Sequence, residues 1–135
     1  MILKLITNYT KISILFMAKN ILIIEDDAEI LRVLETVLTF HDFEVTGLDR
    51  TDDIIAAVKN YNPDLVLTDY MLPGLNGGRI CQLIKGNEAT RHIPVILISA
   101  YHEQAIALVN FGYDAFVPKP FDVNKLVKTI NRFLN

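Results

Sequence analysis

The chain has 135 residues, a length that fits one domain and leaves no room for a second of ordinary size. Hydrophobic residues make up 51% of it and charged residues 21%, which is typical of a globular protein. The net charge of -3, with no stripe of Lys and Arg, argues against a nucleic-acid-binding protein. The single cysteine, Cys81, excludes an internal disulfide and fits a reducing cytoplasm.

Residues 1–18 come before the first ordered pattern and are interpreted as an N-terminal extension of a domain that comprises residues 19–135. The extension is apolar, but Lys4, Asn8 and Lys11 interrupt it too often for a membrane span of about 20 apolar residues. It also lacks the cleavage site of a signal peptide. Because Met17 follows residues 1–16, we predict that this part arises from an upstream start codon.

Five short segments of the domain are predicted to be β-strands. Continuous apolar runs are typical of strands that are buried on both faces, whereas an alternating run is typical of an edge strand. The second segment alternates, so we expect it at an edge of the sheet. The predicted strands are 21–24, 43–47, 65–67, 95–98 and 115–117.

Helical patterns lie between and after these strands. Ile30, Leu31 and Leu34, for example, recur at the spacing of three and four residues that gives a helix one apolar face. Five helices alternating with five strands predict an α/β fold in which a doubly wound parallel sheet is covered on both sides. The predicted helices are 28–40, 52–60, 77–86, 102–110 and 122–134, the fourth being ended by Gly112.

Reactive side chains stand at the carboxyl ends of four predicted strands, where open α/β sheets bind ligands. The first strand is followed by Glu25 and Asp26, and the third is followed by Asp69. Ser99 follows the fourth strand and Lys119 follows the fifth. Crowded carboxylates repel one another, and Mg²⁺, which prefers oxygen ligands, would relieve that repulsion. A phosphoryl group bonded to a central carboxylate would then contact the metal, the hydroxyl and the ammonium together.

Each of these polar residues, taken alone, has a simpler explanation. Asp27 is predicted to be the N-cap of the first helix, and a lone Ser99 is typical of an N-cap for the fourth. A lone Lys119 is typical of a solvated surface. The functional interpretation depends on finding four suitable residue types at the ends of four strands in one chain.

The same segments resemble the receiver domain of two-component response regulators, and the likeness runs from about Lys19 to the C-terminus. "ILIIEDD" is similar to the first strand and acid pair of that family, which places the pair at Glu25 and Asp26. "DLVLTDYMLPGLNG" resembles the segment around the phosphoacceptor, which is then Asp69. The resemblance implies a CheY-like, flavodoxin-like sheet with the strand order 2-1-3-4-5.

Two further segments carry the resemblance. "PVILISA" places Ser99 at the Ser/Thr position of the family, followed by Ala100, which is small and should leave the site accessible. "FVPKPF" matches the family's lysine at Lys119, and there a cis peptide bond to the next residue, here Pro120, is implied.

The resemblance also implies a reaction. A histidine kinase or phosphotransfer protein presents a phosphohistidine, and the receiver catalyses transfer onto Asp69 and later its own dephosphorylation. Mg²⁺ would be held by the carboxylates of Asp26 and Asp69, by Glu25 through water and by the carbonyl of Met71. Lys119 would pair with the phosphoryl oxygens.

A conformational switch is implied as well. Ser99 would move toward the phosphoryl group, and an aromatic side chain three residues before the lysine, Phe116, would rotate into the vacated space. Many relatives have tyrosine there, so a switch that uses its hydroxyl is excluded. Phe116 is equally well explained as a core aromatic residue of a short strand.

The expected partners follow from the resemblance and from the end of the chain at Asn135, directly after the last helix. We expect a single-domain cytoplasmic protein that signals to a protein target through the face formed by helix 4, strand 5 and helix 5, or that passes the phosphoryl group on in a phosphorelay. We expect a monomer or a weak, phosphorylation-linked dimer that binds neither nucleic acid nor membrane.

Three alternative functions make different demands on the sequence. A phosphatase of the haloacid dehalogenase type would need a second acid two residues after the nucleophile, where this chain has Met71. A flavodoxin-type flavin module would need a Ser/Thr/Gly-rich phosphate loop after the first strand, where this chain is acidic. A receiver-like interaction module that works without phosphorylation is not excluded by the residues present.

Overall fold

A computed structural model describes Ile2 and residues 18–135 of the chain. The interpretation of residues 1–16 as an extension therefore lies outside the described residues, apart from Ile2. None of the helices described is long and apolar enough to cross a lipid bilayer.

Five parallel strands form one sheet in the order β2-β1-β3-β4-β5. This confirms the predicted fold class and strand order, and β2 lies at an edge as its alternating pattern predicted. The strands are β1 (Asn20–Ile24), β2 (Glu44–Leu48), β3 (Leu65–Asp69), β4 (Val95–Ser99) and β5 (Ala115–Pro118).

Five helices connect and follow the strands. They are α1 (Ala28–Phe40), α2 (Ile54–Tyr61), α3 (Gly77–Lys85), α4 (Glu103–Ile106) and α5 (Val123–Leu134). The carboxylate of Asp27 accepts hydrogen bonds from the backbone N–H groups of Glu29 and Ile30, which confirms its predicted role as the N-cap of α1.

The fourth helix is shorter than predicted, since the sequence pattern favoured 102–110 and α4 is a single turn. The apolar residues Leu108 and Val109 that suggested a longer helix are exposed, at 86% and 48% of their surface. The chain leaves the helix and Phe111 packs against Tyr70 instead, with 5.9 Å between the ring centroids. Packing of this aromatic residue therefore outweighs the local helical pattern.

The strands alternate their side chains between two hydrophobic cores. On one face Ile21 and Ile23 of β1 pack with residues of α1 and α5. On the other face Leu22 and Ile24 pack with residues of α2 and α3. Burial on both faces explains why the central strands are continuous apolar runs, and it fixes the strand ends that carry the polar residues.

Candidate functional site

The acid cluster consists of Glu25, Asp26 and Asp69, and strand pairing explains why the three lie together. Ile24 is paired with Thr68 in the sheet, so the residues that follow each of them emerge side by side. Glu25 and Asp69 are 2% and 7% exposed, whereas Asp26 is open to solvent. One carboxylate oxygen from each of the three lies within 4.8 Å of the others.

Lys119 reaches this cluster from the end of β5, which lies two strands away from β3 in the sheet. Its backbone N–H donates to the Ser99 carbonyl at 2.8 Å, which extends the pairing of β4 and β5 by one residue. Its ammonium lies 2.6 Å from Glu25 Oε1 and 3.3 Å from Asp69 Oδ1. The peptide bond from Lys119 to Pro120 is cis.

The pKa values of Lys119 and Glu25 show how the charges balance. Burial by itself would lower the pKa of Lys119, but the hydrogen bond to Glu25 and the charge of Asp69 outweigh it, so the pKa is raised and the ammonium is retained. The pKa of Glu25 is raised as well, because burial and the neighbouring Asp69 carboxylate outweigh the effect of Lys119. The single positive charge of Lys119 therefore does not neutralise the negative charge of the acid cluster.

These observations fit a bound divalent cation. Three carboxylates, two of them nearly buried, surround a small volume, and among residues 18–135 Lys119 provides the one ammonium in contact with them. Oxygen ligands are those that Mg²⁺ prefers. Met71, whose carbonyl was expected to complete the ligand set, lies two residues after Asp69 in the loop before α3.

Ser99 is 1% exposed at the end of β4, and its Oγ accepts a hydrogen bond from the Tyr101 N–H at 3.0 Å. The alternative that Ser99 caps the fourth helix is wrong, because α4 begins later and its N-cap residue is His102. Ser99 Oγ is therefore held within its own loop.

The structure also locates the remaining predicted residues. Phe116 is half-buried in β5, with its ring centroid 5.9 Å from that of Tyr113. Ala100 is exposed and lines an apolar groove of about 520 Å³. The groove lies between the start of α1 and the start of α5, and we call it the α1–α5 groove. Its lining residues are Ile30, Val33, Ala100, Lys119, Pro120, Phe121 and Val123.

Three residues beside Asp69 were not identified from the sequence. The Thr68 hydroxyl donates to the Asp69 carbonyl at 2.9 Å, and the Tyr70 N–H donates to Asp69 Oδ1 at 2.9 Å. Gly77 lies against the Asp69 carbonyl so closely that a Cβ there would collide with it. The paired glycines in "LNGG" were a signal for this close approach.

Comparison with known proteins agrees with this geometry. Residues 21–131 match the family model described as the response regulator receiver domain. The response regulator ArlR of Staphylococcus aureus is 36% identical over 118 residues, which cover 85% of this chain and 52% of the relative. The chain spans about half the length of the curated relatives it matches.

Solved structures give the same result. The receiver domain of a signal transduction histidine kinase from Syntrophus aciditrophicus is 26% identical, with a TM-score of 0.80 over 87% of this chain and 90% of that one. The receiver domain of the sensor histidine kinase PA1611 from Pseudomonas aeruginosa, with a magnesium ion coordinated in its active-site cleft, is 27% identical. Its TM-score is 0.74 over 86% of this chain and 97% of that one.

Proposed function

Because the chain belongs to the response regulator receiver domain family, whose members accept a phosphoryl group, we propose that Asp69 is the phosphoacceptor of this chain. One observation carries the proposal: the nearly buried carboxylate of Asp69 lies in the acid cluster and also within 3.3 Å of the Lys119 ammonium. A metal and a lysine on either side are what a transferring phosphoryl group requires.

The reaction transfers a phosphoryl group from a phosphohistidine to Asp69. An oxygen of Asp69 attacks phosphorus, the N–P bond breaks as the O–P bond forms, and the imidazole leaves. In the unphosphorylated structure the Lys119 ammonium lies closer to Glu25 than to Asp69. After transfer it turns toward the new phosphoryl oxygens, and the Ser99 hydroxyl donates a hydrogen bond to one of them. In the reverse direction of the switch, water attacks phosphorus, the O–P bond breaks, and inorganic phosphate leaves while Asp69 recovers its carboxylate.

Mg²⁺ fits the same site. The carboxylates of Asp26 and Asp69, the carbonyl of Met71 and, through water, Glu25 would hold it. When bound, the ion supplies positive charge that neutralises the oxygens of the transferring group. Glu25 stays near Lys119 and helps to retain the ammonium that the acceptor needs.

The α1–α5 groove supports docking of the phosphohistidine donor. It is almost entirely apolar, and Lys119, which lies beside the acid cluster, forms part of its wall. A donor must bring its phosphorus into contact with Asp69, so its helix has to dock directly beside this cluster. An amphipathic helix that places its apolar face in such a groove would satisfy that requirement. We propose that the donor is a histidine kinase or a phosphotransfer protein that acts in the cytoplasm.

For output, we propose that a protein target reads the face formed by α4, β5 and α5, or that the phosphoryl group passes onward in a relay. Half-buried Phe116 lines a groove of about 280 Å³ on this face, together with Phe121 and Lys125 of the adjoining segment. Inward movement of Phe116 would reshape that groove. A weak dimer formed on phosphorylation would use the same face, and sedimentation with and without beryllium fluoride tests for it.

Intact-mass analysis after incubation with acetyl phosphate, with and without Mg²⁺, tests the proposed function. We expect one Mg²⁺-dependent phosphoryl adduct on the wild type and none on Asp69→Asn. Asp49→Asn is the matched control, because Asp49 is an exposed aspartate that follows β2 at the same end of the sheet. An adduct on Asp69→Asn would refute the assignment. No adduct on a wild type that binds Mg²⁺ would favour the module that works without phosphorylation.

A further inference from the structure

Tyr101 connects the loop after β4 to the loop after β3. Its ring packs edge-on against the ring of Tyr70, at 6.0 Å between centroids and an interplanar angle of 87°. Its hydroxyl donates to the Met71 sulfur at 3.5 Å. We call these two side-chain contacts of Tyr101 the tyrosine clamp.

The backbone N–H groups of Tyr101 and Tyr70 each donate a hydrogen bond to a side chain of the proposed site. The Tyr101 N–H donates to Ser99 Oγ, and the Tyr70 N–H donates to Asp69 Oδ1. The two tyrosines whose rings contact each other therefore each fix one polar group of the site. Among the described residues, no hydrogen bond joins Ser99 Oγ to Asp69.

We propose that Tyr101 is a positioning residue that keeps Ser99 in its resting orientation, so that the tyrosine clamp opposes the phosphoryl-bound arrangement. This inference rests on the proposed function. To donate to a phosphoryl group on Asp69, Ser99 Oγ has to turn away from the Tyr101 N–H. The ring and hydroxyl contacts of Tyr101 hold its N–H where it donates to Ser99 Oγ, so they strengthen the hydrogen bond that Ser99 has to give up when it turns.

The contacts of the tyrosine clamp are weak, so they would lower the affinity of the site for a phosphoryl group without preventing binding. The Tyr101 side chain is 49% exposed, and a thioether is a weak hydrogen-bond acceptor. Aromatic pairs and contacts of this kind shift a two-state equilibrium by roughly threefold to tenfold. Loosening the clamp should raise the fraction of molecules that are ready to bind a phosphoryl group by that factor.

Titration with beryllium fluoride in the presence of Mg²⁺ measures this equilibrium without the chemical step. We expect Tyr101→Ala to bind beryllium fluoride about threefold to tenfold more tightly than the wild type. Tyr101→Phe keeps the aromatic ring, and Met71→Leu keeps the backbone carbonyl of residue 71. Each of these variants should bind beryllium fluoride about twofold more tightly than the wild type. If the hydroxyl acts through the sulfur, the double variant should gain no more than either single one.

Two controls separate positioning from a general structural effect. Mg²⁺ affinity measured without beryllium fluoride should be the same in the wild type and Tyr101→Phe. Tyr61→Ala removes another half-exposed tyrosine, at the far end of α2, and should leave beryllium fluoride affinity unchanged.

Unchanged or weaker beryllium fluoride binding by Tyr101→Ala and Tyr101→Phe would overturn the inference, as would an equal gain in Tyr61→Ala. Failure of the proposed function looks different. In that case the wild type itself would bind no beryllium fluoride and would accept no phosphoryl group from acetyl phosphate, and the inference would fall with it.

Discussion

The ammonium of Lys119 lies closer to Glu25 than to Asp69, at 2.6 Å against 3.3 Å. Two nearly buried carboxylates thus share one cation, and burial together with mutual repulsion raises the pKa of Glu25. The negative charge that remains is what a divalent cation would neutralise. With that charge neutralised, Lys119 would be free to turn toward a phosphoryl group on the proposed acceptor, Asp69.

Replacing Lys119 by methionine should separate metal binding from phosphoryl transfer. Loss of a positive charge beside the acid cluster should tighten Mg²⁺ binding by about 1–2 kcal/mol, roughly tenfold, as measured by isothermal titration calorimetry. Phosphorylation by acetyl phosphate should fall by roughly 10²–10³-fold, because the charge that stabilises the transferring oxygens is gone. Lys128→Met, on the exposed surface of α5, is the control. An unchanged phosphorylation rate in Lys119→Met would contradict the role of this residue.

Stability at high pH should depend on Cys81. Burial raises the pKa of this thiol to about 12, from 9.0 in an unfolded chain. The unfolded state therefore ionises first, and the stability that the neutral buried thiol contributes below pH 9 is lost as the pH rises toward 12. Between pH 8 and pH 10.5 the loss should be about 2 kcal/mol.

Urea unfolding of the wild type and Cys81→Ala at both pH values isolates this effect, since the two proteins share every other titrating group. The free energy of unfolding of the wild type should fall by about 2 kcal/mol more than that of the variant. Parallel losses would show that the thiol ionises as readily in the folded chain as in the unfolded one.

The sequence was sufficient for the fold and for the residues that meet at the strand ends. Continuous apolar runs are typical of strands covered on both faces, and parallel strands bring their carboxyl ends to one side. Five-strand alternation and the quoted motifs therefore led to Glu25, Asp69 and Lys119 before any contact was known. Asp27 was identified because capping depends on local backbone geometry alone.

What the sequence did not reveal depends on long-range packing. Leu108 and Val109 extended the helical pattern of α4, but only the packing of Phe111 on Tyr70 shows that the helix ends after one turn. The pairing of Lys119 with Glu25, 94 positions apart, likewise depends on the positions of two strand ends in space. The spacing of residues along the sequence predicts neither the contact of Phe111 with Tyr70 nor the pairing of Lys119 with Glu25.

Gly77→Ala should lower both the stability of the fold and the rate of phosphorylation at the proposed acceptor, Asp69. A Cβ at Gly77 would collide with the backbone carbonyl of Asp69. Because this carbonyl belongs to β3, moving it would disturb the strand and would cost free energy of folding. We expect a loss of about 2–4 kcal/mol in urea unfolding and slower phosphorylation, because the end of β3 must shift.

Gly78→Ala is the comparison for this variant. Its Cβ would lie 2.6 Å from the ring of Phe111, a side chain that can move, so we expect a smaller loss of about 1–2 kcal/mol. Phe111→Leu in the same chain should recover part of that loss by making room. A larger loss in Gly78→Ala than in Gly77→Ala would show that the contact with Asp69 is not the limiting one.

Val33→Asn should weaken transfer from a phosphohistidine protein while leaving small-molecule phosphorylation nearly intact. Val33 is 49% exposed in the α1–α5 groove, and a polar amide there would be buried without a partner when a donor helix docks. We expect transfer from an autophosphorylated histidine kinase that phosphorylates the wild type to slow by roughly tenfold or more. Acetyl phosphate needs no docked helix, so its rate should stay within about threefold. Phe40→Asn changes an 81% exposed residue at the opposite end of the same helix and should affect neither rate. Equal slowing by both variants, or with both donors, would place donor docking somewhere other than this groove.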